Sequence, residues 1–181
     1  MTTTYEEYRP RLARAERATD VEVRLAGRDD IERIAALSAE RSGRDVGASV
    51  SRVTSELDGG GGGHAIMVAV RHAQVVGFGR IRNVGPDEAA RHHPAPAGWY
   101  MLGLVVDRHL RRMGIGTGLS LARFAWLKER GAMEAHSLVS SQNPTSIDFH
   151  ASLGFEVVRV GPGFLDVSFD CGKGYLMRRC L

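Results

Sequence analysis

The most constraining feature of this 181-residue sequence is an apolar segment that runs directly into a basic, glycine-rich turn. Residues 99–106 are almost continuously apolar, which is typical of a strand covered on both faces. After Asp107 the sequence reads Arg111-Arg112-Met113-Gly114-Ile115-Gly116-Thr117-Gly118, followed by a helical stripe of Ile115, Leu119, Ala122 and Trp126. A strand, a glycine-rich turn and a helix in this order predict a phosphate site, because backbone N–H groups at the helix start point at the anion.

The composition of the turn supports a phosphate ligand but excludes two common phosphate-binding motifs. Gly114 and Gly116 lack the Cβ atoms that would block close approach, and nearby arginines add cationic donors. The dinucleotide fingerprint requires GxGxxG and an acidic residue after the next strand, whereas this turn reads GxGxG and no carboxylate ends the strand near Ser141. No lysine follows the glycines, so a P-loop is excluded as well.

Periodic patterns along the chain predict the remaining elements. Strands are predicted at residues 21–25, 65–71, 75–83, 136–141, 155–160 and 175–179. One helix is predicted to open at Asp29-Asp30 and another at Pro144, with Asn143 as its N-cap. The stretch 42–63 is polar and carries no predicted helix or strand, and the five glycines that end it, Gly59–Gly63, are predicted to form a flexible loop. This order predicts one α/β domain with a mixed sheet at residues 20–181, preceded by a solvated helical arm at residues 1–19.

Charge and cysteine content limit the possible partners. The chain has 24 Lys and Arg against 21 Asp and Glu, and a net charge of +3 is too small to indicate nucleic acid. No apolar run approaches the roughly 18 residues of a membrane helix, and the polar start does not resemble a secretory signal. Cys171 and Cys180 match no common metal spacing. We therefore expect a cytoplasmic protein with structural thiols, no metal, and no nucleic-acid or membrane partner.

Two motifs in the second half resemble those of the GCN5-related N-acetyltransferase (GNAT) superfamily. Leu104-Val105-Val106-Asp107 followed by Arg111-x-x-Gly114-x-Gly116 is similar to the family signature Q/R-x-x-G-x-G/A and the central strand before it. A later set resembles the family helix N-x-x-A-x-x-F-Y-x-x-x-G-F: Asn143, Ser146, Phe149, His150, Gly154 and Phe155. The resemblance covers residues 21–181 and is sharpest at 99–155.

The resemblance implies a fold and a co-substrate. The fold is the acyl-CoA N-acyltransferase fold, a single mixed, mostly antiparallel sheet with flanking helices and a central parallel strand pair that splays apart. Acetyl-CoA enters the cleft of that pair, where the backbone of Leu104, Val105 and Val106 would pair with its pantetheine arm. Asn143 and Ser146 would contact the arm from the second motif. The pyrophosphate would be held by Arg111 and by the amides of Arg112, Met113, Gly114, Ile115, Gly116 and Thr117.

The resemblance also implies catalytic roles, with one departure from the family. At the position of His150 many members have a tyrosine that protonates the leaving thiolate. A histidine with a pKa near ~6.5 could do the same, or could only pack and bond a backbone carbonyl. The acceptor amine must be neutral to attack directly in a ternary complex, and candidate bases are Asp166, Asp170 and Ser140. The two aspartates could equally be solvated loop residues. A backbone N–H near Val105 or Val106 would polarise the acetyl oxygen.

The acceptor is expected to bind the variable parts of the family fold, which here are the first helix and residues 84–98 and 161–174. Trp99 and Tyr100 could offer a flat face to the acceptor or could pack in the core, and Asp166 with Asp170 would suit a polycation. The whole resembles small-molecule acetyltransferases of antibiotic-resistance type, so we expect an aminoglycoside such as kasugamycin. Alternatives are a peptide or protein amine and, in another class, a non-catalytic acyl-CoA sensor. Family members often dimerise, so a homodimer is also expected.

Overall fold

The computed structural model describes residues 18–43, 45–59 and 63–181, so nearly all of the expected N-terminal arm lies outside the described residues. The helices are α1 (Ile31–Ser42), α2 (Val46–Asp58), α3 (Pro86–Ala89), α4 (Ile115–Lys128) and α5 (Pro144–Ser152). The strands are β1 (Glu22–Leu25), β2 (His64–Arg71), β3 (Gln74–Val84), β4 (Gly98–Val106), β5 (Glu134–Ser140), β6 (Glu156–Gly161), β7 (Gly163–Phe164), β8 (Val167–Ser168) and β9 (Gly174–Cys180). The described chain divides into two compact units, which we call the N-terminal unit (18–82 and 101–130) and the C-terminal unit (83–100 and 131–181).

The N-terminal unit builds its core between helices and strands. Its strands follow the order β1, β2, β3 and the main part of β4, and β1–β2 and β2–β3 are antiparallel. The turn predicted between β2 and β3 is confirmed, with His72 and Ala73 both in the left-handed region. The buried side chains come from α1, α2 and these strands, and they are Ile34, Leu37, Val53, Ile66, Val68, Val75, Phe78 and Val105.

Two sequence-based expectations in the N-terminal unit are wrong. The polar stretch 42–63, in which no helix is predicted, contains α2, while residues 60–62 of its glycine run lie outside the described residues. Helix α2 begins after Asp45, whose carboxylate accepts a hydrogen bond from Ala48 N at 2.9 Å. Val53 of α2 is fully buried, so tertiary packing stabilises a helix in a segment rich in serine and glycine. Strand β4 forms as predicted, but it is not covered on both faces, because Gly103 is exposed and Leu104 and Val106 are only half-buried.

The C-terminal unit contains the start of β4, then β5, β9 and β6 in that spatial order. The β5–β9 and β9–β6 pairs are antiparallel, and β4 and β5 are parallel, with Tyr100 opposite His136 as the partner pair among the described residues. The fold class, mixed α/β with mostly antiparallel strands and one parallel pair, is confirmed. Within the part of the chain that is described, no helix combines the length and apolarity needed to cross a bilayer.

Candidate active site

The segment after β4 is held by hydrogen bonds to its own unit. Asp107 N donates to Val76 O at 2.8 Å, and Asp107 Oδ1 accepts from His109 N at 3.0 Å at the start of the short 3₁₀ helix Arg108–Leu110. Arg111 Nε then reaches back to Val106 O at 3.4 Å. The chain therefore leaves β4 along a defined path before it reaches the glycines.

The glycine turn presents an uncapped helix start. Gly114 is the N-cap of α4 with φ 82°, a left-handed conformation that glycine adopts without strain, and it has no side chain to accept a hydrogen bond. The first backbone N–H groups of an α-helix have no partner within the helix, and here they belong to Ile115, Gly116 and Thr117. With the positive end of the helix dipole at the same place, this part of the N-terminal unit is suited to a phosphate group.

The second motif forms α5 as predicted. Asn143 Oδ1 accepts from Ser146 N at 3.0 Å, which confirms Asn143 as the N-cap. One turn further along, His150 Nδ1 lies 2.7 Å from Ser146 O, and its ring packs edge-on against Phe155 at 5.3 Å between centroids. The amide oxygen of Asn143 is thus occupied by the cap, which leaves its NH₂ group for other contacts.

His150 makes a hydrogen bond that the sequence did not indicate. Its Nε2 lies 2.9 Å from Ser137 Oγ on β5. Because the carbonyl of Ser146 only accepts, Nδ1 carries the proton, and in the neutral ring Nε2 accepts from the Ser137 hydroxyl. A proton leaves Nε2 only from the imidazolium form, and its nearest acceptor is then Ser137 Oγ. Ser137 is not part of either motif. The one sequence signal for it is that side chains of a strand alternate between the two faces of the sheet, which places every second residue of β5 on the face toward α5.

Ser140, one of the candidate bases, lies in a different cluster of the C-terminal unit. Its Oγ is 3.7 Å from Cys171 Sγ, and Ser141 Oγ is 3.5 Å from the same sulfur. The Cys171 thiol donates to Lys173 O at 3.1 Å. These hydrogen bonds, the one with Ser141 foremost, lower the pKa of Cys171. Cys171 and Cys180 are both free thiols.

Asp166 lies where the two expected acceptor segments of the C-terminal unit meet. The hairpin of β7 and β8 turns at Leu165-Asp166, and Leu165 N donates to His93 O at 2.7 Å. A small cavity of about 170 Å³ opens there, lined by Glu88, Arg91, His92, Leu165 and Asp166. The structure therefore brings Asp166 beside residues of the 84–98 segment, whereas Asp170 is exposed in the turn before Cys171.

Of the two aromatic residues expected near the acceptor, Tyr100 is completely buried and Trp99 is half-buried. The Tyr100 hydroxyl donates to Pro96 O at 2.7 Å, and its ring stacks on His136 at 5.1 Å. Burial raises the pKa of Tyr100 to about 12. Burial is also the main reason that the pKa of the His136 imidazole is lowered. A Tyr100 ring so enclosed has no free face for an acceptor in this structure, which leaves Trp99 as the aromatic candidate.

A metal site does not emerge from the geometry. Across residues 18–43, 45–59 and 63–181, no three His, Cys, Asp or Glu side chains come together as ligands.

Comparison with known proteins identifies relatives of this arrangement. The sequence profile described as the acetyltransferase (GNAT) family matches residues 30–155. No curated protein sequence matches the chain. Solved structures share the fold: a ribosomal-protein-alanine N-acetyltransferase from Brucella melitensis has a TM-score of 0.66 at 22% identity, over 88% of this chain and 99% of that one.

Two further structures contain a coenzyme. The protein yncA from Salmonella typhimurium, solved with its cofactor acetyl-CoA, has a TM-score of 0.67 at 18% identity, over 90% of this chain and 95% of that one. An aminoglycoside 6'-N-acetyltransferase complexed with coenzyme A has a TM-score of 0.67 at 17% identity, over 88% of this chain and 96% of that one.

Proposed function

Because this chain belongs to the acetyltransferase (GNAT) family, we propose that it transfers an acetyl group from acetyl-CoA to a primary amine of a small molecule. The expected family and the expected enzyme class, an acyltransferase that uses acetyl-CoA, are confirmed. The acceptor and the individual site residues are the substance of the proposal.

The observation that carries the proposal is the uncapped start of α4. Amides of Ile115, Gly116 and Thr117 would hold the pyrophosphate, together with Arg111, Arg112, Met113 and Gly114. The partial exposure of Leu104 and Val106 leaves that stretch of β4 accessible to a pantetheine arm, which supports the predicted backbone pairing. Asn143 keeps its NH₂ group free of the helix cap and would donate to the arm.

The bound thioester supplies an activated acetyl group, and the chain supplies donors and a proton. A backbone N–H at Val105 or Val106 would stabilise the developing oxyanion. We assign the proton for the thiolate to the imidazolium form of His150, whose Nε2 is hydrogen-bonded in this structure to the buried hydroxyl of Ser137. Asp166 and Ser140 remain the candidate bases for the incoming amine. Asp166 is the better placed of the two, because it is exposed and an amine that arrives from solvent can reach its carboxylate.

An aminoglycoside is the acceptor we propose. The small cavity beside Asp166 is lined by Glu88, Arg91 and His92 as well, so its two carboxylates outnumber its one guanidinium and favour a cationic amine. Two neighbours carry names from both acceptor classes, an aminoglycoside 6'-N-acetyltransferase and a ribosomal-protein-alanine N-acetyltransferase, so a peptide amine is the alternative acceptor. The non-catalytic acyl-CoA sensor is retained for the case in which no amine is acetylated.

The decisive experiment is an acetyl-CoA assay against a panel of aminoglycosides, including kasugamycin, and N-terminal peptides, with thiol release and product mass as readouts. We expect acetylation of at least one aminoglycoside. Acetylation of peptides alone would favour the alternative acceptor, and tight coenzyme binding without any turnover would favour the sensor. His150→Phe should lower kcat at least tenfold with little change in acetyl-CoA affinity, whereas Ser152→Ala, on the same helix and exposed, should change neither.

A homodimer is part of the proposal, and β6 is the contact we propose for it. This strand has β9 on one side and, among the described residues, no strand on the other. Val157, Val158 and Val160 are 47%, 43% and 52% exposed, which is unusual for an edge strand. A two-fold axis between Val157 and Val158 would pair these two valines across the copies and place Glu156 opposite Arg159 of the partner subunit.

Light scattering after size exclusion tests this contact. Glu156→Arg or Arg159→Glu alone should favour the monomer, and the double charge reversal should restore the dimer. A wild-type monomer at micromolar concentration would refute the proposed contact. Both thiols are free, which supports a reducing, cytoplasmic setting as part of the same proposal.

A further inference from the structure

Arg33 on α1 joins two strand ends of the N-terminal unit. Its Nε donates to Val75 O at 3.1 Å, near the start of β3. Its Nη2 lies 3.0 Å from Asp107 Oδ2, at the residue that follows β4. Glu40 Oε1, at 4.0 Å from Nη1, is a much looser contact. The short contacts of this guanidinium are therefore directed at the point where the chain leaves β4.

Asp107 uses each carboxylate oxygen for a different element. Oδ1 accepts from His109 N and so starts the 3₁₀ helix that leads into the glycine turn, while Oδ2 accepts from Arg33. The backbone N–H of Asp107 is fixed on Val76 O. The carboxylate is only 19% exposed, so this arrangement fixes the direction of the segment that ends at Gly114.

The charge of Asp107 is out of place beside a phosphate site. A carboxylate in the segment that leads to the N-cap of α4 would oppose binding of a pyrophosphate at that helix start, because like charges repel and the Asp107 carboxylate is only 19% exposed. Arg108, Arg111 and Arg112 are attached to the turn itself, whereas Arg33 is the side chain that forms an ion pair with this carboxylate in the described structure. Without Arg33, the arginines of the turn would have to compensate the charge of Asp107, which would leave less positive charge for the pyrophosphate.

We propose that Arg33 is a positioning residue for coenzyme binding: it neutralises Asp107 and, through Asp107, holds the turn in the form that accepts a pyrophosphate. This inference rests on the proposed function, which assigns the turn to acetyl-CoA. Arg33 itself need not touch the coenzyme. Its effect is on affinity for the coenzyme rather than on the chemical step.

The test is a double-mutant cycle read by calorimetric Kd for coenzyme A and by steady-state kinetics. Arg33→Met should raise the Kd and the KM for acetyl-CoA about five- to tenfold with kcat within about twofold of wild type. Asp107→Asn alone should have a smaller effect, because its side-chain oxygen still accepts from His109 N. Arg33→Met with Asp107→Asn should recover most of the lost affinity, because the uncompensated charge is gone.

Three controls separate this role from a structural one. Arg52→Met removes a surface ion pair with Glu56 on α2 and should leave the Kd unchanged. Arg33→Lys keeps the charge and should retain more affinity than Arg33→Met. The ratio of mutant to wild-type Kd should shrink as salt is raised from 0.05 to about 0.5 M, because the repulsion is screened.

The outcomes distinguish the two claims. Wild-type protein that does not bind coenzyme A refutes the proposed function. Wild-type binding with an unchanged Kd for Arg33→Met refutes only the role of Arg33, as does a double variant that binds no better than Arg33→Met. If Arg33→Met fails to fold, Arg33→Lys against Asp107→Asn decides: equal, unperturbed Kd values in both would overturn the inference.

Discussion

Arg123 is a buried cation without a carboxylate partner in the described structure, and its replacement by methionine should stabilise the protein. The side chain extends from α4 and is 3% exposed. Its donors reach only oxygen atoms of neutral groups, Ser120 Oγ at 3.1 Å, Arg80 O at 3.3 Å and Leu119 O at 3.4 Å. Gly79 leaves the space it occupies, since a Cβ there would lie 2.9 Å from the guanidinium.

Two opposing contributions set the size of the effect. Burial lowers the pKa of Arg123 to about 9, and a shift of that size corresponds to an upper limit of about 5 kcal/mol against the charged form. The three hydrogen bonds are long, and losing them costs about 1 kcal/mol each. Methionine fills nearly the same volume without charge, so Arg123→Met should raise the free energy of unfolding by about 1–3 kcal/mol. That corresponds to a melting temperature about 2–10 °C higher.

Urea and thermal unfolding at pH 7, followed by circular dichroism, measure this difference. Arg123→Ala is the matched control, and it should be less stable than Arg123→Met because it leaves a cavity. The pH dependence gives a second check: above about pH 9 the folded wild type loses its proton before the unfolded chain does, so its stability rises and the advantage of the methionine variant narrows. A methionine variant less stable than wild type would show that the charge contributes through contacts that outweigh its desolvation.

Two further predictions concern the C-terminal unit. Tyr100→Phe removes a 2.7 Å hydrogen bond and leaves Pro96 O without its donor, so the free energy of unfolding should fall by about 1–2 kcal/mol, and an unchanged urea midpoint would contradict this. Burial lowers the pKa of His136, so below about pH 6.5 the unfolded chain binds a proton that the folded chain does not. As the pH decreases through this range, the free energy of unfolding should therefore fall by at most ~1.4 kcal/mol per pH unit. His136→Phe keeps a ring against Tyr100 and should flatten that part of the curve; an identical slope in both proteins would assign it to other groups.

Local signals in the sequence account for the elements that were predicted correctly. Asn143 before Pro144 specifies a cap and a first turn within three residues, and the alternation in β2 and β3 needs only neighbouring strands. The sequence does not indicate helix α2, because serines interrupt its apolar positions and five glycines follow it. The helix is stabilised by Val53, which packs in a core whose other residues are far away in the sequence. The missing cover on β4 was also not predictable, since an apolar run does not reveal whether protein or ligand will cover it.

The candidate site shows the same division. The glycine turn and α5 carry short motifs, so a family resemblance could propose roles for their residues. The hydrogen bonds of Ser137 with His150 and of Arg33 with Asp107 join elements that are far apart in the sequence, and only the folded structure brings them together. Asp166 was predicted as an acceptor residue from its loop, but its neighbour Glu88 was not, because the contact depends on the bridge between His93 and Leu165.

The missing cap of α4 has a thermodynamic consequence of its own. Among the described residues no side chain caps the first amides of α4, so without a ligand their hydrogen exchange should be fast and that turn should open at low cost. A ligand phosphate would complete the helix, and its binding energy would appear as folding stability, about 2.7 kcal/mol at a hundredfold excess over Kd. Slowed exchange confined to the first turn of α4 would then report occupancy of the site before any acceptor is known. The coenzyme would thus serve as the last structural element of this helix as well as the acetyl donor.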